Sequence, residues 1–130
     1  MKQISEAFGK RLKDTGVTRI QWVALYYISR EEPISPRELS ERLGVAESSG
    51  KRLLDRMERD GLIIRKKSPS DKRVLLVTLT DSGRVLFQKL LPYGENFNND
   101  LIRGIEEREL MIFEKVLDKM LNNISKDPVE

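Results

Sequence analysis

Ser35–Arg73 reads SPRELSERLGVAESSGKRLLDRMERDGLIIRKKSPSDKR. Ser35 offers a capping hydroxyl, Pro36 suits a first helical position, and Glu38 stands at the spacing of a capping box. Leu39 and Leu43, at i and i+4, supply a buried side, and Gly44 is suited to the left-handed residue that ends a helix. Only Gly44, Val45 and Ala46 separate this helix from the next, which spans about Glu47 to Asp60. Leu62-Ile63-Ile64 and Val74–Leu79 (VLLVTL) then flank a basic loop containing Ser68, Pro69, Ser70 and Asp71, which predicts a β-hairpin. Helix, tight turn, helix and hairpin make a helix-turn-helix with a β wing, an arrangement that places one helix in a DNA groove.

The second helix divides into two faces at about 100° per residue. Gly50, Leu53, Leu54 and Met57 fall on one arc and form the expected buried side. Ser48, Arg52, Arg56 and Arg59 fall opposite, with Ser49 and Lys51 at the margins and Asp55 and Glu58 interrupting the positive charge. Such a face on most surface helices is simply solvated; between a short turn and a basic hairpin it fits DNA contact. Arginine's planar fork bonds guanine edges or phosphates bidentately, and short hydroxyls approach phosphates closely. The hairpin carries Arg65, Lys66, Lys67, Lys72 and Arg73 against Asp71 alone. A basic hairpin can also be a strand edge kept soluble by lysines, but its place beside the reading helix favours phosphate contact. The candidate DNA contacts are therefore Arg37, Ser48, Ser49, Lys51, Arg52, Arg56 and Arg59 on the helix pair, and Lys67, Asp71, Lys72 and Arg73 on the wing.

Gly44-Val45, the hydroxyl pair Ser48-Ser49, the run RLLDRMERDGLIIR (Arg52–Arg65), the D-x-R of Asp71–Arg73 and LTDSG (Leu79–Gly83) together resemble the MarR (multiple antibiotic resistance regulator) family. The resemblance covers nearly the whole chain and is densest from Ile34 to Gly83. It implies a winged-helix homodimer that represses genes through pseudo-palindromic operators. It also implies that Ser48, Ser49, Lys51, Arg52 and Arg56 meet the major groove. Asp71 would fix the wing, and Arg73 would enter the minor groove, where a narrow A·T-rich segment concentrates negative potential. Two residues depart from the pattern. Ala46 replaces the usual hydroxyl cap, forgoing a contact typically worth ~1 kcal/mol. Gly50 costs a further ~1 kcal/mol relative to alanine inside a helix, while allowing closer packing on the preceding helix.

The remaining composition narrows the function. A chain of 130 residues fits one domain with little left for a separate catalytic one. Ser35–Arg73 lies in a basic middle: Arg37 to Arg73 holds eleven Lys/Arg and seven Asp/Glu, whereas Glu95 to Glu130 holds five and nine. That asymmetry turns the middle of the chain towards a polyanion. There is no cysteine, hence no disulfide or thiol switch, and no histidine, the commonest zinc ligand and general base. No nucleophile–base pair, phosphate-cradling glycine loop or metal-ligand pattern stands out, so neither an enzyme nor a cofactor or metal site is expected. No apolar run approaches the ~20 residues that span a bilayer, and the N-terminus lacks a signal-peptide core, so the expected location is cytoplasmic.

Outside the basic segment the pattern is helical. Met1 to Asp14 should form a helix with Ile4, Phe8 and Leu12 along one stripe. The resemblance puts this stripe in a dimer interface, and packing against its own domain is the alternative. Thr18 is a plausible cap for a helix to Arg30, where Trp22, Tyr26 and Tyr27 form the most aromatic part of the chain. Aromatics so spaced either make plain core or line a pocket; the resemblance implies that a small aromatic or phenolic effector can bind in this region. Thr80 and Asp81 resemble a helix start, and Pro92 with Gly94 should kink or interrupt that helix. Phe97, Leu101, Ile102 and Ile105 resume the stripe, and Glu106 to Glu109 open a last helix. Its face of Leu110, Phe113, Val116, Leu117, Met120, Leu121 and Ile124 exceeds what one small winged domain needs.

The expected architecture is mainly α with a small β wing. Residues 18–80 would form the winged helix-turn-helix DNA-binding lobe, 1–14 and 81–124 a helical dimerisation lobe, and 125–130 a tail. Dimerisation would use Ile4, Phe8, Leu12, Leu110, Phe113, Leu117, Met120 and Leu121. The expected function is sequence-specific recognition of double-stranded DNA by a dimeric transcriptional regulator released by a small ligand. The alternative is a winged-helix module that presents its basic face to an acidic protein, and selection of a particular duplex separates the two.

Overall fold

The computed structural model describes residues 2–126, with side chains through Ser125. Among these residues the chain forms six helices and two strands: α1 (Lys2–Arg11), α2 (Arg19–Glu31), α3 (Pro36–Leu43), α4 (Glu47–Arg59), β1 (Ile63–Lys67), β2 (Leu75–Leu79), α5 (Asp81–Leu101) and α6 (Glu107–Lys126). It is mainly α with a small β wing, as the sequence predicts. Contacts divide the chain into one unit through Phe97 and another from Asn98, so the boundary falls inside α5.

Local chemistry sets the helix ends. In α2 the Gln21 N–H donates to Thr18 Oγ1 (3.2 Å) and the Thr18 N–H donates to Gln21 Oε1 (2.9 Å). In α3 the Glu38 N–H donates to Ser35 Oγ (3.1 Å) and the Ser35 N–H to Glu38 Oε1 (3.2 Å). Both are complete capping boxes, each satisfying two amides that a helix start leaves orphaned. Gly44 ends α3 at φ 69°, a conformation that side chains bearing a Cβ resist, and so turns the chain directly into α4. Thr80 opens α5 by accepting from the Gly83 N–H (3.0 Å) while its hydroxyl donates to the Gly61 carbonyl (2.6 Å).

β1 and β2 pair antiparallel, Ile63 opposite Leu79 and Lys67 opposite Leu75. Ile34, just before α3, adds a bridge to Val77 through reciprocal backbone bonds of 3.2 and 2.7 Å. The hairpin base is thereby fastened to the helical core, which contains Leu25, Ile28, Leu39, Leu54, Met57, Ile63 and Val77, all fully buried. Each such side chain contributes about 1.5–3 kcal/mol by leaving water. Glu32 closes the same junction. It accepts from the Leu79 N–H (3.1 Å) and from both terminal nitrogens of Arg84 (2.7 and 3.2 Å), joining the end of α2 to β2 and α5.

Four expectations need correction. α1 ends at Arg11, not Asp14, because Asp14 takes φ 73°, which no helix accommodates, and Thr15 Oγ1 donates instead to the Leu12 carbonyl (2.6 Å). Phe8 and Leu12, assigned to a dimer interface, are 7% and 1% exposed within the chain's own core. Phe8 packs edge-on against Trp22, with ring centroids 5.2 Å apart, and lies 5.1 Å from Phe97. Of the two outcomes expected at Pro92, a kink or an interruption, interruption is excluded, because α5 runs through it from Asp81 to Leu101. The Trp22 indole N–H donates to the Leu90 carbonyl (2.9 Å), and a Cβ on Gly94 would collide with the Trp22 ring. Finally, Ser125 and Lys126 belong to α6 rather than to a tail, and residues 127–130 lie outside the described residues.

Candidate nucleic-acid interface

α4 is seated by what it lacks on its inner face. A Cβ at Gly50 would overlap Ser40 Oγ, so the missing side chain lets α4 lie close against α3. Gly50, Leu53, Leu54 and Met57 are buried, the four residues that the helical period predicts. Ala46 caps the helix without a side-chain hydrogen bond, also as predicted. The opposite face carries Ser48, Lys51, Arg52, Arg56 and Arg59, all exposed, with Ser49 half-buried at the margin.

Pairing divides the cations of this lobe into two classes. Arg42 bonds Glu31 through two nitrogens (3.0 and 2.9 Å), Arg84 bonds Glu32, and Arg65 bonds Asp55 and Glu58. Arg37 lies 3.5 Å from Glu41 and 3.8 Å from Glu47, so this candidate contact spans α3 and the start of α4. By contrast Lys51, Arg52, Arg56, Arg59, Lys67 and Lys72 have no ion-pair partner among the described residues. Unpaired guanidinium and ammonium groups along one helix and its adjoining hairpin keep their full attraction for phosphate, at no desolvation cost until a ligand arrives.

The wing tip is ordered by Asp71. Its Oδ1 accepts from the Arg73 N–H (3.0 Å) and Nε (3.1 Å), and its Oδ2 from Arg73 Nη2 (3.3 Å). The Arg73 side chain, helped by its own N–H, holds the Asp71 carboxyl below its ordinary range. Arg73 remains 91% exposed on its side chain, a charge fixed in direction yet open to solvent. The Ser68 N–H donates to the Val74 carbonyl (2.8 Å) and closes the loop below it.

Sequence reasoning missed the use of Arg65. Composition makes it one of five cations on the hairpin, yet it turns inward onto α4. Strand alternation held the signal: Arg65 shares a face with Ile63, the inward face of β1. Trp22, meanwhile, is core: it stacks on Tyr26, with centroids 5.8 Å apart, and packs against Phe87 at 5.5 Å. Of the dimerisation candidates, Phe113, Leu117, Met120 and Leu121 are exposed on α6, and Leu110 and Ile4 are half-buried. Among the described residues no cluster of acidic side chains could hold a metal, and no helix is long and apolar enough to cross a membrane.

Residues 15–74 match the model of the MarR family. The uncharacterized HTH-type transcriptional regulator YdgJ of Bacillus subtilis is 30% identical over 113 residues, covering 85% of this chain and 68% of that protein. The transcriptional repressor MprA of Escherichia coli is 29% identical over 124 residues, covering 94% and 70%. A crystal structure of a mutant MarR from Escherichia coli, complexed with operator DNA, superimposes with a TM-score of 0.82 at 27% identity, covering 92% of this chain and 86% of that one.

Proposed function

The chain belongs to the MarR family of DNA-binding transcriptional regulators, and on that premise we propose that it acts as a homodimeric repressor of a pseudo-palindromic operator. One observation carries the reading: the unpaired cationic row of α4 stands beside a wing whose arginine is braced outward. Each α4 enters a major groove, where Ser48, Ser49, Lys51, Arg52 and Arg56 face the bases and phosphates. Each wing reaches the flanking minor groove with Arg73, while Arg59, Lys67 and Lys72 add phosphate contacts. MprA is named a repressor, and the MarR neighbour was crystallised on operator DNA, which supports the same direction of control here.

The second copy is assigned to the exposed apolar row of α6, which includes Phe113, Val116, Leu117, Met120 and Leu121. A face of this extent is far from what a solitary soluble domain exposes, and a two-fold pairing buries it against itself. In this division residues 18–80 read DNA and 81–124 pair the two copies. A small aromatic or phenolic ligand would release the operator by favouring a dimer geometry whose α4 spacing mismatches it. Such a ligand must bind the two geometries with unequal affinity. The site of action is then cytoplasmic, with the chromosome.

The test is selection from a random duplex library at near-physiological salt, followed by sequencing of the retained duplexes. An enriched inverted repeat, with half-site centres about one helical turn apart, is expected. Retention without enrichment would reduce the interaction to bulk electrostatics, and no retention would move the basic face to an acidic protein partner.

A further inference from the structure

Arg65 differs from the other cations of the hairpin. Lys66, Lys67, Lys72 and Arg73 are exposed, whereas the Arg65 side chain is 19% exposed and its guanidinium lies against α4. One nitrogen, Nη2, donates to Asp55 Oδ1 and to Glu58 Oε1, both at 2.7 Å. The two carboxylates stand at i and i+3, one turn apart on α4. The bond from Arg65 holds the Glu58 carboxyl below its ordinary range, and the bond to Glu58 raises Arg65 above its own. Beyond Arg65, the side-chain hydrogen bonds and ion pairs of residues 66–73 all stay within the hairpin. Arg65 therefore lies on the outermost rung with a polar tie to the body among the described residues, opposite Val77 and its backbone bridge to Ile34, and it supplies the outermost side-chain tie.

We propose that Arg65 is a positioning residue for DNA recognition: by bridging Asp55 and Glu58 it holds the wing at a fixed offset from α4, so that Arg73 meets the duplex in register with Arg52 and Arg56. The proposal rests on the DNA-binding reading above. It gives two of the three acidic residues on the reading helix a purpose. Left alone, they would only repel phosphate; as acceptors for Arg65 they become the anchor of the wing. A purely electrostatic account makes the opposite forecast, because removing both carboxylates adds positive charge to the face and should strengthen binding to any duplex.

The Asp55→Ala/Glu58→Ala double variant separates these accounts, since alanine keeps α4 helical. The first readout needs no DNA: ¹⁵N relaxation of the free protein. Backbone order parameters of residues 66–73 should fall in the double variant and in Arg65→Met, with residues 47–59 unchanged. Unchanged wing order in both variants would overturn the proposal. The second readout uses the duplex that the wild-type protein enriches from the random library. Arg73→Ala should cost about 10-fold in affinity in the wild-type background and less than about 3-fold once Asp55 and Glu58 are alanine. Equal losses in the two backgrounds would overturn it as well. A library that yields no enriched duplex would sink the DNA reading itself, while the relaxation data would still decide whether Arg65 tethers the wing.

Discussion

At Gly50 two magnitudes oppose each other. Glycine inside a helix costs about 1 kcal/mol relative to alanine, whereas forcing a methyl into a filled contact costs about 1–3 kcal/mol. Here the methyl would meet Ser40 Oγ, so packing outweighs propensity. Gly50→Ala should lower stability by about 1 kcal/mol in denaturant unfolding, and adding Ser40→Ala should recover part of the loss. On the outer face of the same helix, Arg52→Ala should weaken binding to the selected duplex by about 1–3 kcal/mol and relax sequence preference at one position. Arg73→Ala should weaken binding across sequences and lower the salt slope by about one unit. Wild-type titrations for both variants would refute the assignment of reading face and wing. The sides of α4 were legible in sequence because burial there follows the helical period. The role of Arg65 was not, because its acceptors sit on another element that only the folded chain brings across β1.

Elements in this chain are bounded by hydroxyls and carboxylates, which is why α2 and α3 could be placed closely and α5 could not. A capping box is local, so Ser35 with Glu38 announces α3 without reference to anything distant. Pro92 is also local, and alone it argues for a break, yet α5 continues through it and is bonded at the Leu90 carbonyl by Trp22, dozens of positions away in sequence. Glu32 extends this logic of distant partners. Its carboxyl is held below the ordinary value of 4.5, first by the Arg84 side chain and further by the Leu79 N–H, against the opposing effect of burial. A carboxyl lowered in the folded state stabilises it fully above that ordinary value and loses the contribution as the pH falls below it. Glu32→Ala should therefore cost about 2 kcal/mol at neutral pH and progressively less in acid, as read from thermal unfolding across a pH series. A penalty independent of pH would show that the carboxylate charge is not what joins α2, β2 and α5.

For the molecule as a whole, the surplus apolar residues of α6 were legible as a pattern, and the sequence assigned too much to the same surface. Phe8 and Leu12 share the periodicity of interface residues but serve the chain's own core, since a stripe does not say which partner buries it. The pairing prediction accordingly rests on α6. Phe113→Glu with Leu117→Glu should convert a dimer into a monomer in sedimentation equilibrium, with the far-ultraviolet circular dichroism of the winged lobe retained. A wild-type chain that sediments as a monomer would remove the two-copy reading. The junction of α2 with α5 has a consequence in optics. Trp22 is the sole tryptophan of the chain, buried among rings, with its indole N–H engaged by the Leu90 carbonyl and the backbone of Gly94 against its edge. Excited beyond the absorption of its tyrosines, the protein therefore emits from a single chromophore at the seam between its second and fifth helices. Its emission should be blue-shifted in the native chain and move to the red as that seam loosens, giving a label-free signal for any molecule or duplex that changes how those two helices meet.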